Sequence, residues 1–322
     1  MKPSVVASVA GACLALLAPP RAACAGTPRS CRVGAYLISL HDLDPARRTF
    51  GADLWLWSTC PSKDLRPLDV MDFVNGNPVR TSLAATSERA GVYWSYVKVS
   101  GVFRHDWNLR SYPFDRQMLK IVIENTDAAA SAFTYEVDRA GSRPARDIRL
   151  DGWRLEDFAV SEAPHRYDTI FGDPAMNGSA VSDYDRLTLS VTIVRTRRLS
   201  FLKLVMGVYV AVALSILTFL LGPYNGRRRA NILVGALFAV IVSQRVTESM
   251  IGRTEQLTLV DAIHFTAMLY IFAITLAGIR AQDLFDGDHK DEAARSDRRG
   301  LWIASLSFVA VNAVLLWVAA HA

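Results

Sequence analysis

Polar and apolar positions along this chain follow two different periods. Between residues 27 and 198 the pattern is short and alternating: Leu187, Leu189, Val191 and Ile193 are separated by Thr188, Ser190 and Thr192. A period of two puts one face of a β-strand in a core and the other in water. Similar alternation marks residues 33–40, 50–57 and 118–124, and turn-rich stretches such as Val-Asn-Gly-Asn-Pro at 74–78 separate these runs. The region is therefore predicted to form an antiparallel β-sandwich. From residue 199 onward the alternation gives way to four long apolar segments, 201–221, 230–250, 257–279 and 301–320. Each has the ~20 residues a helix needs to cross a hydrocarbon core of about 30 Å. Pattern alone thus predicts an all-β domain over 26–198 followed by an all-α four-helix transmembrane domain over 199–322.

The first 25 residues read differently again. Lys2, an apolar run over 5–17 and Ala23-Cys24-Ala25 before Gly26 have the form of a cleavable signal peptide, with a mature chain starting near Gly26. Lipoprotein processing at Cys24 is the alternative, although Arg21 stands where a lipobox has an aliphatic residue. A secretory leader puts the strand-rich domain in the periplasm and makes the segments after the first and third spans cytoplasmic. Those segments carry Arg227, Arg228 and Arg229, then Arg280, Lys290, Arg295, Arg298 and Arg299, the basic excess expected on the cytoplasmic side. The expectation is a multi-pass protein of the bacterial inner membrane with both termini in the periplasm.

Composition narrows the function classes. A net charge of +5 over 322 residues points to no nucleic-acid partner. The chain has no HExxH, GxSxG, GxGxxG or P-loop pattern and no clustered Cys and His, so an enzyme, a metal site and a cofactor are not expected. Cys31 and Cys60 are the cysteines left once the leader is removed. They flank two predicted strands joined by a turn over 42–48. Residues opposed in a hairpin have numbers of constant sum, and this pair matches a turn centred between Pro45 and Ala46. A cross-strand disulfide is expected in an oxidising periplasm, with two unpaired buried thiols as the alternative. The second span contains Asn231, Ser243, Gln244, Arg245, Thr247 and Glu248, which lipid does not tolerate on an exposed face.

At Trp107-Asn-Leu-Arg-Ser-Tyr-Pro-Phe-Asp-Arg-Gln117, followed by Leu119, Ile121 and Ile123, the chain resembles the central signature of the Cys-loop receptor superfamily in its bacterial, cysteine-free form. Other features resemble that family in the same order. Val33-Gly-Ala-Tyr-Leu-Ile-Ser-Leu40 with Thr49-Phe50 and Trp55-Leu-Trp57 is similar to its first strand pair, Asp151-Gly-Trp153 to the Gly-Trp before its last strands, 187–195 to its final strand, and Leu257-Thr-Leu-Val-Asp-Ala-Ile263 to the start of its third helix. The likeness covers nearly all of the mature chain. It departs where the first span lacks a proline, where Gly252 and Arg253 replace a proline pair, and where the shorter stretch between Cys60 and Tyr93 removes part of a ligand-site loop.

The resemblance implies a homopentameric ligand-gated ion channel. Its partners would be a small-molecule or proton agonist bound between neighbouring periplasmic domains, permeating inorganic ions and membrane lipid. The second span would line the pore through Asn231, Gly235, Phe238, Val242, Arg245 and Ser249, with Phe238 and Val242 as apolar rings able to close it by dewetting. Packing inside a helix bundle is the other reading of that face. Arg227, Arg228 and Arg229 would guard the cytoplasmic mouth and favour anions, unless they only fix topology. Glu248 near the outer mouth argues the other way, and Arg245 is read as a lumen ring, a partner of Glu248, or a side chain reaching the surface.

For coupling, the resemblance pairs Asp115 with Arg195 near the membrane, places Pro113 in the same loop and Asp261 at the third helix, and rests the turn of Asp42 and Asp44 on the linker with Arg253. The agonist would meet Tyr93, Trp94 and Tyr96 on one strand and Tyr167, Phe171 and Tyr184 in a hairpin, an aromatic cage suited to ammonium ligands. Acids beside these rings could titrate instead. The competing function is a non-conducting, membrane-anchored periplasmic ligand sensor or scaffold.

Overall fold

The computed structural model describes residues 29–127, 129–176, 178–196, 198–252 and 256–321. The first 28 residues, with the expected leader, and Arg253 lie outside that set. Among the described residues a strand-rich region is followed by four long apolar helices.

The strands are β1 (Arg29–Asp44), β2 (Thr49–Cys60), β3 (Met71–Phe73), β4 (Gly76–Arg89), β5 (Val92–Arg104), β6 (Arg116–Asn125), β7 (Phe133–Val137), β8 (Arg143–Pro144), β9 (Trp153–Tyr167) and β10 (Ser182–Arg195). They form two sheets, one ordered β4-β5-β2-β1-β7 with β8 beside β1, the other β3-β6-β10-β9. The period-two pattern sets which side of each strand is inside. Leu187, Leu189, Val191 and Ile193 of β10 and Leu119, Ile121 and Ile123 of β6 are buried in one core with Phe50, Leu54 and Leu56 of β2 and Val97, Val99 and Phe103 of β5. Burying each such side chain contributes about 1.5–3 kcal/mol, so this shared core holds the sheets together.

The expected all-antiparallel arrangement needs one correction. β7 and β8 run parallel to β1, because the chain leaves β6 in one sheet and crosses to the other before β7. Alternation sets which face a residue occupies and carries no information about strand direction.

The first hairpin closes as its spacing suggests. Arg32 pairs with Thr59 and Leu37 with Leu54, and Cys31 is joined to Cys60 by a disulfide. Irregularities between Leu37 and Ser39 and between His41 and Asp44 move the turn to 45–48, nearer to β2 than the pairing sum indicates.

The helices are α1 (Arg198–Leu217), α2 (Gly226–Ile251), α3 (Leu259–Asp286) and α4 (Lys290–His321), with a 3-10 turn Thr218–Leu221 continuing α1. α3 and α4 outlast the apolar spans, and the basic stretch expected as a linker is largely helical. Ala281 and Ala293 lie fully buried in these extensions, so packing continues beyond the apolar segments. α3 starts with a reciprocal cap: Thr258 Oγ1 accepts from Asp261 N at 3.1 Å, and Asp261 Oδ2 accepts from Thr258 N at 3.0 Å. Such a cap satisfies two otherwise orphaned N–H groups.

Sandwich and helices meet closely. Ile251 at the end of α2 belongs to the sandwich core, and Tyr112 and Phe114 pack on the helical core. Arg110 O accepts from Leu259 N at 3.0 Å. Gln256 accepts from Leu109 N at 2.8 Å and donates to Trp107 O at 3.0 Å.

Candidate functional site

α2 has two unlike faces. Leu233, Ala236, Val240 and Thr247, at intervals of three, four and seven residues, are buried against the other helices. The stripe of Asn231, Gly235, Phe238, Val242, Arg245 and Ser249 is exposed throughout, with Phe238 at 64% and Val242 at 60%. At 3.6 residues per turn these stripes lie on opposite sides of the helix. Arg245 Nη1 donates to Glu248 Oε2 at 2.8 Å on the open side, so both groups stand together near the end that meets the sandwich.

The three arginines opening α2 separate. Arg227 and Arg228 are exposed, whereas Arg229 is buried. Its Nη1 donates to Asp297 Oδ1 of α4 at 3.0 Å, and its Nη2 pairs with the other carboxylate oxygen. The expectation that Arg229 stands exposed with Arg227 and Arg228 is corrected, because it continues the packed stripe of Leu233 and Ala236 and is neutralised inside the bundle. That helical register was the available signal. Asp297, the partner, lies too far along the chain for spacing to reveal it.

At the junction, Asp115 and Arg195 come together. Arg195 Nε donates to Asp115 Oδ1 at 2.7 Å, and its Nη2 to Oδ2 at 3.3 Å. The guanidinium lies 4.0 Å from the ring centroid of Trp153 and 4.8 Å from that of Tyr112, two contacts that sequence reasoning missed. Gln117 Nε2 donates to Asp115 Oδ2 at 2.8 Å, and Gln117 Oε1 lies 3.4 Å from His105 Nε2. Burial holds His105 below the ordinary histidine pKa and raises the Tyr112 phenol. Pro113 is buried in the same loop, while Asp261 serves the α3 cap. Asp44 Oδ1 accepts from Arg47 N at 2.9 Å, and Asp42, Asp44 and Ser249 line one hollow beside the end of α2.

The aromatic residues fall into two groups within the chain. In the β9–β10 hairpin Tyr167 lies 5.2 Å from Phe171 and 6.0 Å from Tyr184. Tyr167 donates to Glu124 Oε2 at 2.7 Å, and Arg186 Nε to Glu124 Oε1 at 2.6 Å. Burial raises Asp185 nearby. The second group lies on the other sheet, where Trp94 and Tyr96 are 4.8 Å apart and Trp55 joins at 5.8 Å from Tyr96. Tyr93 does not belong with them, since adjacent strand residues point to opposite faces. It stands across from Glu88, whose negative charge raises the Tyr93 phenol. Within one chain, then, the aromatic residues form two separate surfaces, one on each sheet.

No model of a known protein family matches the sequence, and no curated protein matches it.

Proposed function

We propose that this chain is one subunit of a homopentameric ligand-gated ion channel of the bacterial inner membrane, with the sandwich in the periplasm. The observation that carries the reading is the open face of α2. In lipid, a face holding Asn231, Arg245, Glu248 and Ser249 is costly. Around a symmetry axis it meets water and four identical neighbours. The packed stripe on the opposite side leaves this polar face of α2 free to meet such an axis. Phe238 and Val242 then form two apolar constrictions in the middle of the pore.

Two further features support it. The Asp115–Arg195 pair, Tyr112 and the Gln256 bridge tie the last strand and the 107–115 loop to the helices, so a rotation of the sandwich is felt at α1 and α3. The two aromatic surfaces on different sheets suit a ligand site completed by a neighbouring subunit, and the resemblance of residues 107–117 to the Cys-loop receptor signature agrees with that use.

The test is to reconstitute the purified protein in liposomes, count subunits by cross-linking and record currents across a screen of pH and small ligands. Pentamers that conduct, and that open more readily with Phe238→Ala, are expected. A protein that stays monomeric, or that passes no current with either sequence, would instead be a membrane-anchored sensor.

A further inference from the structure

The outward face of the β2–β5 pair holds a hollow lined by Trp55, Leu56, Trp57, Arg89, Trp94 and Tyr96. Strand alternation gathers the rings there. Trp55 and Trp57 on β2, and Trp94 and Tyr96 on β5, are spaced two apart and share one side of the sheet, and Trp57 stands directly opposite Tyr96.

Aromatic faces of this kind attract a cation, and here the chain supplies its own. The guanidinium of Arg89, at the end of β4, lies 4.2 Å from the centroid of Trp94. Its Nε donates to Ser87 Oγ at 3.1 Å, two residues back on the same side of β4, which holds the group over the ring. Among the described residues Arg89 has no carboxylate partner, and it is the one charged residue lining the hollow. The acids adjoining this face are engaged elsewhere. Asp138 accepts from the Trp57 indole N–H at 3.1 Å and from Gly141 N at 3.0 Å. Asp53 accepts from the Ser39 hydroxyl at 2.6 Å.

We propose that this hollow binds a small organic carboxylate with an aromatic or apolar body, and that it disfavours ammonium ligands. A carboxylate meets the free N–H groups of Arg89, whose planar fork matches its two oxygens. The body of the ligand lies against Trp55, Trp94 and Tyr96. An ammonium ligand finds the aromatic surface already taken by a like charge, and no carboxylate lines the hollow itself. The ligand charge is thus the reverse of what aromatic residues alone suggest. That occupancy opens a pore rests on the channel reading above; binding itself does not.

The test is calorimetric titration of the full-length protein in detergent with phenylacetate and with phenyltrimethylammonium, on the natural sequence and on Arg89→Gln. Phenylacetate is expected to bind saturably and at least tenfold more tightly than the ammonium probe. Arg89→Gln should weaken phenylacetate at least tenfold while leaving the unfolding midpoint unchanged, and Arg89→Lys, which keeps the charge, should retain part of the binding. Ammonium bound as tightly as phenylacetate, phenylacetate binding that ignores Arg89→Gln, or no saturable phenylacetate binding would each overturn the assignment. Phenylacetate that binds to a protein passing no ions leaves this site standing and removes the channel reading. Currents evoked by the ammonium probe without phenylacetate binding do the reverse.

Discussion

Arg195 grips Asp115 with two nitrogens where the last strand runs into the first helix, and its guanidinium is held between the rings of Trp153 and Tyr112. The Asp115 side chain is 1% exposed and that of Arg195 16%. The pair is therefore shielded from solvent at the junction that links sheet to helix.

Removing one member of a buried ion pair leaves the other charge uncompensated and costs about 3–5 kcal/mol. Asp115→Asn and Arg195→Gln should each lower the unfolding midpoint strongly in detergent. Arg195→Lys should fall between, since it keeps the charge but loses the fork and the stacking. The double variant should cost less than the two single losses added together; additive losses would mean that the groups do not act as a pair.

Cys31 and Cys60 close a loop across the β1–β2 hairpin, with a sequence separation of 29. On the chain-entropy model such a loop contributes roughly 3–4 kcal/mol. Cys31→Ser or chemical reduction should lower the unfolding free energy by a similar amount and the midpoint with it. Equal midpoints with and without reductant would show that the bridge adds no stability.

Arg228 and Arg229 are neighbours in sequence with opposite surroundings, one exposed and one buried on Asp297. Arg229→Gln should destabilise the helical region by about 3–5 kcal/mol and leave ion selectivity unchanged. Arg228→Gln should leave stability within ~0.5 kcal/mol, as surface changes usually do. If the pore reading holds, it should also shift the reversal potential towards cations. Paired melting curves and reversal potentials in asymmetric salt separate the two.

His105 provides a pH dependence with a defined sign. Burial depresses its pKa below the ordinary 6.5, so the unfolded chain takes up a proton that the folded chain refuses. The stability contributed by neutral His105 is complete above pH 6.5 and is lost as pH falls through the folded-state value. The unfolding midpoint should therefore drop below that pH, and His105→Gln should flatten the drop. The groups nearest in charge are Asp106, which opposes the shift, and Lys120, which adds to it. An unchanged pH profile in His105→Gln would assign the acid sensitivity to other groups.

Some of the molecule is legible in local pattern because the cause is local. Alternation at Leu187–Ile193 marks a strand with one buried face, since side chains on a strand must alternate. The length of each apolar segment marks a membrane span, since lipid demands one continuous helical stretch. Helical spacing set the α2 stripe of Asn231 to Ser249 apart from its buried side. The cysteine pair was legible because a hairpin relates residue numbers directly.

What the sequence by itself determined about this protein is therefore its division into strands and membrane-length helices, and the side on which each element is apolar. Only the tertiary structure decided what lies opposite each face. Arg229 meets Asp297 on α4, Arg89 lies over the Trp94 ring of another strand, Tyr93 is turned away from Trp94 towards Glu88, and β7 runs parallel to β1. The reason is physical: periodicity orients a side chain relative to its own backbone, whereas the partner it reaches depends on how elements distant in the chain pack together.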